Sequence, residues 1–422
     1  MSKFNKNYYK IMMILGILMC ILWISLINTQ PYSDFYYYNK IAQQIANGGQ
    51  WGDTYTTVGY SIILGGIYSI LGYHLIIAKI FNLVLTLISY IVFYKILKKI
   101  DLKESRRKII YTLFIFFPSN IFYTSVVGNE ILFTTILLII TLIYYSNVKL
   151  KYALIGLLVA INSMIKPFFI IFFLVIFILE LFVYGRYNLT KTLKHTVTIL
   201  LVSLICIFPW IYRNTKLIGQ PTFISNNSGI VLYINNNSQN INGRWMSAEK
   251  IENSVVLKDE YIQANATQKN KMLTKKAKDW IITHPLQFVE LGFKRLFNTY
   301  FIADDIFFSL NLVNLNKYLQ ILIISYVSLI KLIIFIPSIV YIIIHSKKVI
   351  INLLNRKNIN SYELYNLVCF YMFTCVYFVT EGQGRYSFPC IFIAIYFFSP
   401  LVEKFLDKYF IKDRKLEKTP NN

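Results

Sequence analysis

Residues 3–34, KFNKNYYKIMMILGILMCILWISLINTQPYSD, decide the fold class. Lys3, Lys6 and Lys10 precede an uncharged run, residues 11–27, that is apolar on every side. A helix without a wet face belongs in a core or a bilayer, and about 20 such residues cross a hydrocarbon layer of ~30 Å. The basic flank places the N-terminus in the cytoplasm and the far end outside. Asn28, Thr29, Gln30 and Pro31 follow where a cleavage site would need small residues, so the run reads as an uncleaved first span.

The rest of the chain repeats this pattern. Of 422 residues, 56% are hydrophobic and 15% charged, with a mean hydropathy of +0.51. Soluble domains carry about a quarter charged residues, so the composition indicates an all-α polytopic membrane protein and excludes disordered, collagenous and disulfide-scaffold classes. The formal charge of +23, from 43 Lys and Arg against 20 Asp and Glu, would point to nucleic acid in a soluble protein. Here the cations flank apolar runs, so their partner is the membrane lipid of an anionic leaflet and no nucleic-acid partner is expected. Cys20, Cys206, Cys369, Cys375 and Cys390 lie in or beside apolar runs without metal-ligand spacing, and the four histidines are scattered.

Charge parity then sets the topology. The basic cluster from Lys95 to Lys108 requires a return to the cytoplasm, so residues 75–94 form the second span. The shorter glycine-bearing stretch 58–73 is assigned to the outer membrane surface. Residues 109–147 read as a hairpin with Glu130 at its outer turn. A second hairpin, 152–184, is interrupted at Lys166 and Pro167 and returns to Arg186, Lys191 and Lys194. Residues 196–211 exit, and residues 318–344, 362–380 and 386–402 complete a bundle of about ten spans with both termini inside.

The resulting organisation is an N-terminal transmembrane region, 1–211, whose first external loop, 28–74, is the expected catalytic loop. An external module, 212–317, follows, then C-terminal transmembrane helices, 318–403, and a basic cytoplasmic tail, 404–422. The module is expected to be a small α/β unit: short strands and turns around Pro221, Asn226 to Gly229 and Asn235 to Asn237, then a helix ending at His284 and Pro285. Residues 288–308, with Lys294, Arg295, Asp304 and Asp305 among aromatics, read as an interfacial segment.

Parity gathers Asp34, Glu130, Lys166, Arg213, Glu381 and Arg385 at one boundary. External Lys and Arg are disfavoured in short loops and call for an explanation. Each has an ordinary alternative. Asp34 could cap the helix 35–47, Asp53 could sit in a plain turn, and Glu130 could be a solvated turn acid. Lys79 and Lys166 could snorkel, Arg213 could anchor beside Trp210, and Arg385 could pair with Glu381.

Ser33-Asp34 followed by Tyr38, Ala42, Gly48 and Gly59-Tyr60 resembles the first external loop of the GT-C superfamily of lipid-dependent glycosyltransferases. Within it, the likeness is to bacterial relatives of protein O-mannosyltransferases and of lipid A aminoarabinose transferases, glycosyltransferase family 39-like. Asn129-Glu130, Gly156 to Pro167, Pro209-Trp210 to Arg213-Asn214 with Gly219 and Ser225 to Gly229, and Arg385-Tyr386 with Pro389 fit the same order. Many relatives have an acidic pair in the first loop, whereas Asp34 is followed by Phe35.

The resemblance implies a GT-C-like bundle in a bacterial cytoplasmic membrane with an extracytoplasmic site. It also implies a polyprenyl-phosphate-linked sugar as donor and a glycan, teichoic acid, lipid or protein as acceptor. A carboxylate can take the proton of an attacking hydroxyl, the role expected of Asp34 with Glu130 assisting. A departing phosphate needs cations, for which Arg213, Arg385, Lys166 and Lys79 are the candidates, with Tyr386 and Asp53 as further ones. One base opposite one leaving group implies inversion. No cofactor is assigned, and a divalent cation stays open. The rivals are a polysaccharide polymerase or ligase and a flippase or transporter; the absence of internal repeats argues against the transporter class.

Overall fold

A computed structural model describes residues 3–183, 188–303, 305–310, 313 and 315–408. Arg186, Asp304 and the tail beyond residue 408 lie outside the described residues. In chain order the helices are α1 (Lys3–Leu26), α2 (Asp34–Ala46), α3 (Gly59–Leu71), α4 (Leu75–Lys99), α5 (Glu104–Ile115), α6 (Pro118–Phe122) and α7 (Glu130–Tyr144). Next come α8 (Lys151–Ile165), α9 (Phe172–Val183), α10 (Leu189–Ile218), α11 (Ser228–Asn235), α12 (Asp259–Gln263) and α13 (Ala266–Thr283). The last are α14 (Pro285–Tyr300), α15 (Asp305–Leu310), α16 (Lys317–Leu354), α17 (Ser361–Val379) and α18 (Ile391–Leu406), the last preceded by a 3₁₀ segment, Gly384–Cys390.

Among the described residues, six helices are long and apolar enough to cross a membrane: Asn7–Leu26 of α1, then α4, α10, α16, α17 and Gly384–Leu406. Gly59–Leu71, Glu130–Tyr144, Lys151–Ile165 and Pro167–Val183 are shorter apolar helices. Their faces follow helical periodicity. In α4, Ala78, Asn82, Leu85, Ser89, Phe93 and Ile96 recur every three or four residues and are buried. On α1, Leu18, Leu22 and Leu26 are exposed on one side, the face a lipid chain would cover. α8 packs closely on α10, where a Cβ on Gly156 would stand 2.8 Å from the Ile199 carbonyl oxygen.

Two helices outrun the expected spans. α10 has 30 residues, about 45 Å, and α16 has 38, about 57 Å, both longer than a hydrocarbon core. α10 continues beyond residue 211 until Gly219 ends it in the left-handed conformation, at φ 74°.

The expected α/β character of the module at residues 212–317 is corrected, because the described residues contain no strand. The segment around residues 228–242 forms α11 followed by turns. Its asparagines explain why. The Asn237 side chain donates to the Tyr233 and Ile234 carbonyls and accepts from the amides of Gln239 and Asn240. Asn240 likewise donates to Ile234 and Arg244 and accepts from the amides of Asn242 and Gly243. Side-chain amides thus do the pairing that a strand ladder would otherwise provide. A small core including Tyr233, Ile234, Ile251, Val255 and Leu273 holds the module together. α13 opens on a capping box, Asn265 with Gln268, and ends before His284 and Pro285 as expected.

α14 is two-faced. Leu286, Phe293 and Phe297 are exposed along one side, whereas Arg295 on the other is fully buried. Arg295 Nη1 donates to the Phe378 carbonyl at 2.6 Å, and Nη2 donates to the Asn235 carbonyl and to Asn236 Oδ1. Its planar fork satisfies several carbonyls at once and fastens the module to the end of α17.

Candidate active site

Asp34 opens α2 and is preceded by Ser33 at φ 52° and ψ −129°, a conformation non-glycine residues rarely adopt. Such strain costs on the order of 1–3 kcal/mol and persists where surrounding structure enforces it. Phe35, 1% exposed, anchors the helix start against Tyr38 and Tyr123. Asp34 is thereby held at the surface, its side chain 49% exposed. It is the first residue inside the helix rather than its N-cap.

Arg385 reaches Asp34 from 351 residues away, donating from Nη2 to Oδ2 at 2.6 Å. The Arg385 side chain is only 8% exposed. Nε donates to Gln383 Oε1 at 2.7 Å, and the plane lies over the rings of Phe35 and Tyr386 at 5.2 and 5.5 Å. Glu130 Oε1 is 3.9 Å from Nη1, so Arg385 lies against two carboxylates, one wet and one dry. The reading of Arg385 as a partner of Glu381 is corrected. Glu381 instead accepts from the Tyr386 hydroxyl at 2.8 Å, and burial raises its carboxyl above the usual range.

Glu130 begins α7 with its side chain 1% exposed, which overturns the solvated turn acid. Its Oε2 has no hydrogen-bond partner among the described residues. A buried carboxylate oxygen without a donor is costly, and such orphans concentrate where a ligand or catalytic step completes the set. Lys166, at the turn between α8 and the Pro167–Ile171 segment, stands over Phe133 and Tyr386 at 5.3 and 5.1 Å. Burial among these groups lowers its ammonium to about 8, against the opposing pull of Glu130.

The other candidates have different partners. Arg213 stacks over Trp210 at 4.5 Å and donates to the carbonyls of Trp51, Gly52 and Asp53 and to Asn214 Oδ1. Asp53 Oδ1 accepts from the Tyr37 hydroxyl and from the Tyr55 amide, both at 2.9 Å. Arg213 and Asp53 thus brace the loop that follows α2. Lys79 is 3% exposed and donates to Asn28 Oδ1 at 3.2 Å, where a snorkelling lysine would reach water. Structure adds Phe35 and Gln383 to the surroundings, beside Tyr38 and Asn129 of the quoted motifs; Asn129 Nδ2 donates to the Tyr38 hydroxyl at 3.4 Å. Gln383 sits two residues from Arg385, so the motif already held it, while nothing in the sequence marks Phe35 as the floor beneath Arg385.

Among the described residues no three of His, Cys, Asp and Glu converge, and a guanidinium rather than a further ligand lies against Asp34 and Glu130.

No protein-family signature and no curated protein matches this sequence. Two solved structures match, both of an oligosaccharyltransferase from Archaeoglobus fulgidus. The apo form has 13% identity and a TM-score of 0.54, covering 99% of this chain and 52% of that one. The form tethered to an acceptor peptide containing the NVT sequon has 12% identity and a TM-score of 0.52, covering 97% and 51%. The chain spans about half the length of the oligosaccharyltransferase it matches. At this identity the likeness concerns architecture: the chain shares the helical fold of about half of that oligosaccharyltransferase, and its apolar helices are those of a polytopic membrane protein.

Proposed function

We propose that this chain is a membrane glycosyltransferase that moves a sugar from a polyprenyl-phosphate-linked donor to a hydroxyl of a cell-envelope acceptor on the extracytoplasmic face of a bacterial membrane. The observation that carries the reading is the pair formed by half-exposed Asp34 and buried Arg385. It sets a base and a phosphate-seeking cation side by side at a helix opening.

In the proposed step the acceptor oxygen attacks the anomeric carbon while the bond from that carbon to the phosphate oxygen breaks. Asp34 takes the hydroxyl proton, and the electron pair of the broken bond leaves on the polyprenyl phosphate. Arg385, with Lys166 beside it, offsets the charge that develops there. As the phosphate draws on the guanidinium, Asp34 loses part of its partner and gains basicity, which couples donor binding to base activation. Glu130 keeps Arg385 oriented, and its unpaired oxygen stays available to a ligand group. Direct displacement inverts the anomeric centre. Kinship with the bacterial protein O-mannosyltransferase and aminoarabinose transferase relatives belongs to this proposal.

A second reading is favoured by the oligosaccharyltransferase likeness: transfer of a preassembled glycan, to a peptide or another polymer. Membranes supplied with lipid-linked donor test both. Asp34→Asn keeps the shape and removes the base, so transfer should fall at least ~100-fold with normal insertion; undiminished transfer rejects the assignment. The mass added to the acceptor separates one sugar from an oligosaccharide.

A further inference from the structure

The other end of the bundle carries a polar centre that the proposed transfer does not use. α8 is 15 residues long, so its first residue, Lys151, lies about 22 Å from Lys166. Lys194 precedes Arg213 on α10 by 19 residues, about 28 Å. Near these helix starts Glu180 of α9 is nearly fully buried. The Tyr152 hydroxyl donates to its Oε1 at 2.7 Å, and His195 Nδ1 lies 2.8 Å from its Oε2. The Tyr152 and His195 rings stack, with centroids 3.6 Å apart.

Against this trio opens a cavity of about 560 Å³ lined by Lys149, Lys151, Tyr152, Lys194, His195 and Thr198 among others. That size suits an organic ligand rather than a bare ion. Its charge is one-sided: three lysines face it, while the Glu180 oxygens are already engaged by Tyr152 and His195. Lys151 is partly spent on the Tyr144 carbonyl at 2.9 Å, but Lys149 and Lys194 are exposed at the rim. The wall also has an apolar edge. Leu150 is held in the left-handed conformation at φ 57° and is 77% exposed, with Val148 exposed beside it. Cations interleaved with exposed apolar side chains match a ligand that has an anionic head and a hydrocarbon tail.

We infer that this cavity binds the phosphodiester headgroup of an anionic phospholipid, with Lys149 and Lys194 on the phosphate and Val148 and Leu150 against the acyl chains. A soluble phosphate compound shares the anionic chemistry and lacks the chains. The inference is independent of the glycosyl-transfer reading, since it uses none of the same residues.

Native mass spectrometry of the purified full chain from micelles with equal phosphatidylglycerol and phosphatidylcholine tests it. Retained phosphatidylglycerol should dominate, and Lys149→Ala with Lys194→Ala should weaken its retention about 30-fold, since each lysine near a phosphate contributes roughly fivefold. Thermal stability in phosphatidylcholine should not change, because both side chains are exposed. Lys347→Ala with Lys348→Ala, exposed lysines outside the cavity, should retain phosphatidylglycerol. Equal retention of both lipids, an unchanged double variant, or equal loss in the control pair overturns the inference. Displacement by glycerol 3-phosphate at about millimolar concentration also overturns it, in favour of a soluble ligand.

Discussion

Two glutamates in this bundle are nearly equally buried and differ in almost every other respect. Glu180 has a donor for each oxygen, from Tyr152 and His195. Glu130 has Arg385 at 3.9 Å from one oxygen and no hydrogen-bond partner for the other. A buried carboxylate with both oxygens satisfied is a finished structural element, whereas one left short of donors is sustained by its surroundings at a cost in stability. The same contrast runs through the neighbours. The Glu180 trio is closed by flat ring stacking, while Glu130 shares its cation with Asp34, which is half-exposed. Burial alone therefore does not mark the candidate active site; incomplete pairing next to an exposed carboxylate does.

The comparison can be broken by mutation. After Asp34→Asn, the largest effect on transfer should come from Arg385→Lys. An ammonium keeps the charge but cannot hold Gln383, Asp34 and Glu130 in one plane, so losing one charge-assisted hydrogen bond of ~1.5–3 kcal/mol should lower kcat/KM about 10- to 100-fold. Activity equal to wild type in steady-state assays would show that Arg385 acts as a charge alone.

A matched pair of substitutions reads the two glutamates directly. Glu180→Gln gives up a charge-assisted bond to His195 and should destabilise the protein by about 1–2 kcal/mol with transfer intact. Glu130→Gln removes a poorly paired buried charge, so stability should hold or rise while transfer falls. Thermal unfolding in detergent beside the activity assay separates them, and equal destabilisation by both would erase the distinction.

The smallest expected effect is on pH dependence. The Lys166 ammonium, lowered to about 8, is charged below that value and neutral above it. If it supports the phosphate, kcat/KM should decline as pH rises through about 8, and Lys166→Arg, which does not titrate there, should remove the decline. A profile identical in both proteins would take Lys166 out of donor binding.

Much of this was legible in the chain. The basic flank and apolar run of residues 3–27 announce α1, and the apolar stretches after Glu130 and on either side of Lys166 appear as the short helices α7, α8 and α9. The motifs holding Asp34 and Arg385 also stood out, because a charge beside an apolar run is conspicuous. The module was misread as partly stranded because asparagine-rich segments signal turns without saying what lies between them. Arg213 passed the same test of location as Arg385, yet its donors are engaged by the 51–53 carbonyls, and the further candidate Lys79 is engaged by Asn28.

By itself, then, the sequence determined the solvent this protein folds in, the order of its helices and the short list of charges that cannot be explained by lipid. Those are properties of each segment's own transfer free energy, which is written in local composition. Which charges meet was decided only by tertiary packing. The 2.6 Å contact between Asp34 and Arg385 and the orphaned oxygen of Glu130 depend on how helices far apart in the chain stack, and hydrogen bonds and ion pairs act only over the few ångströms that such stacking sets.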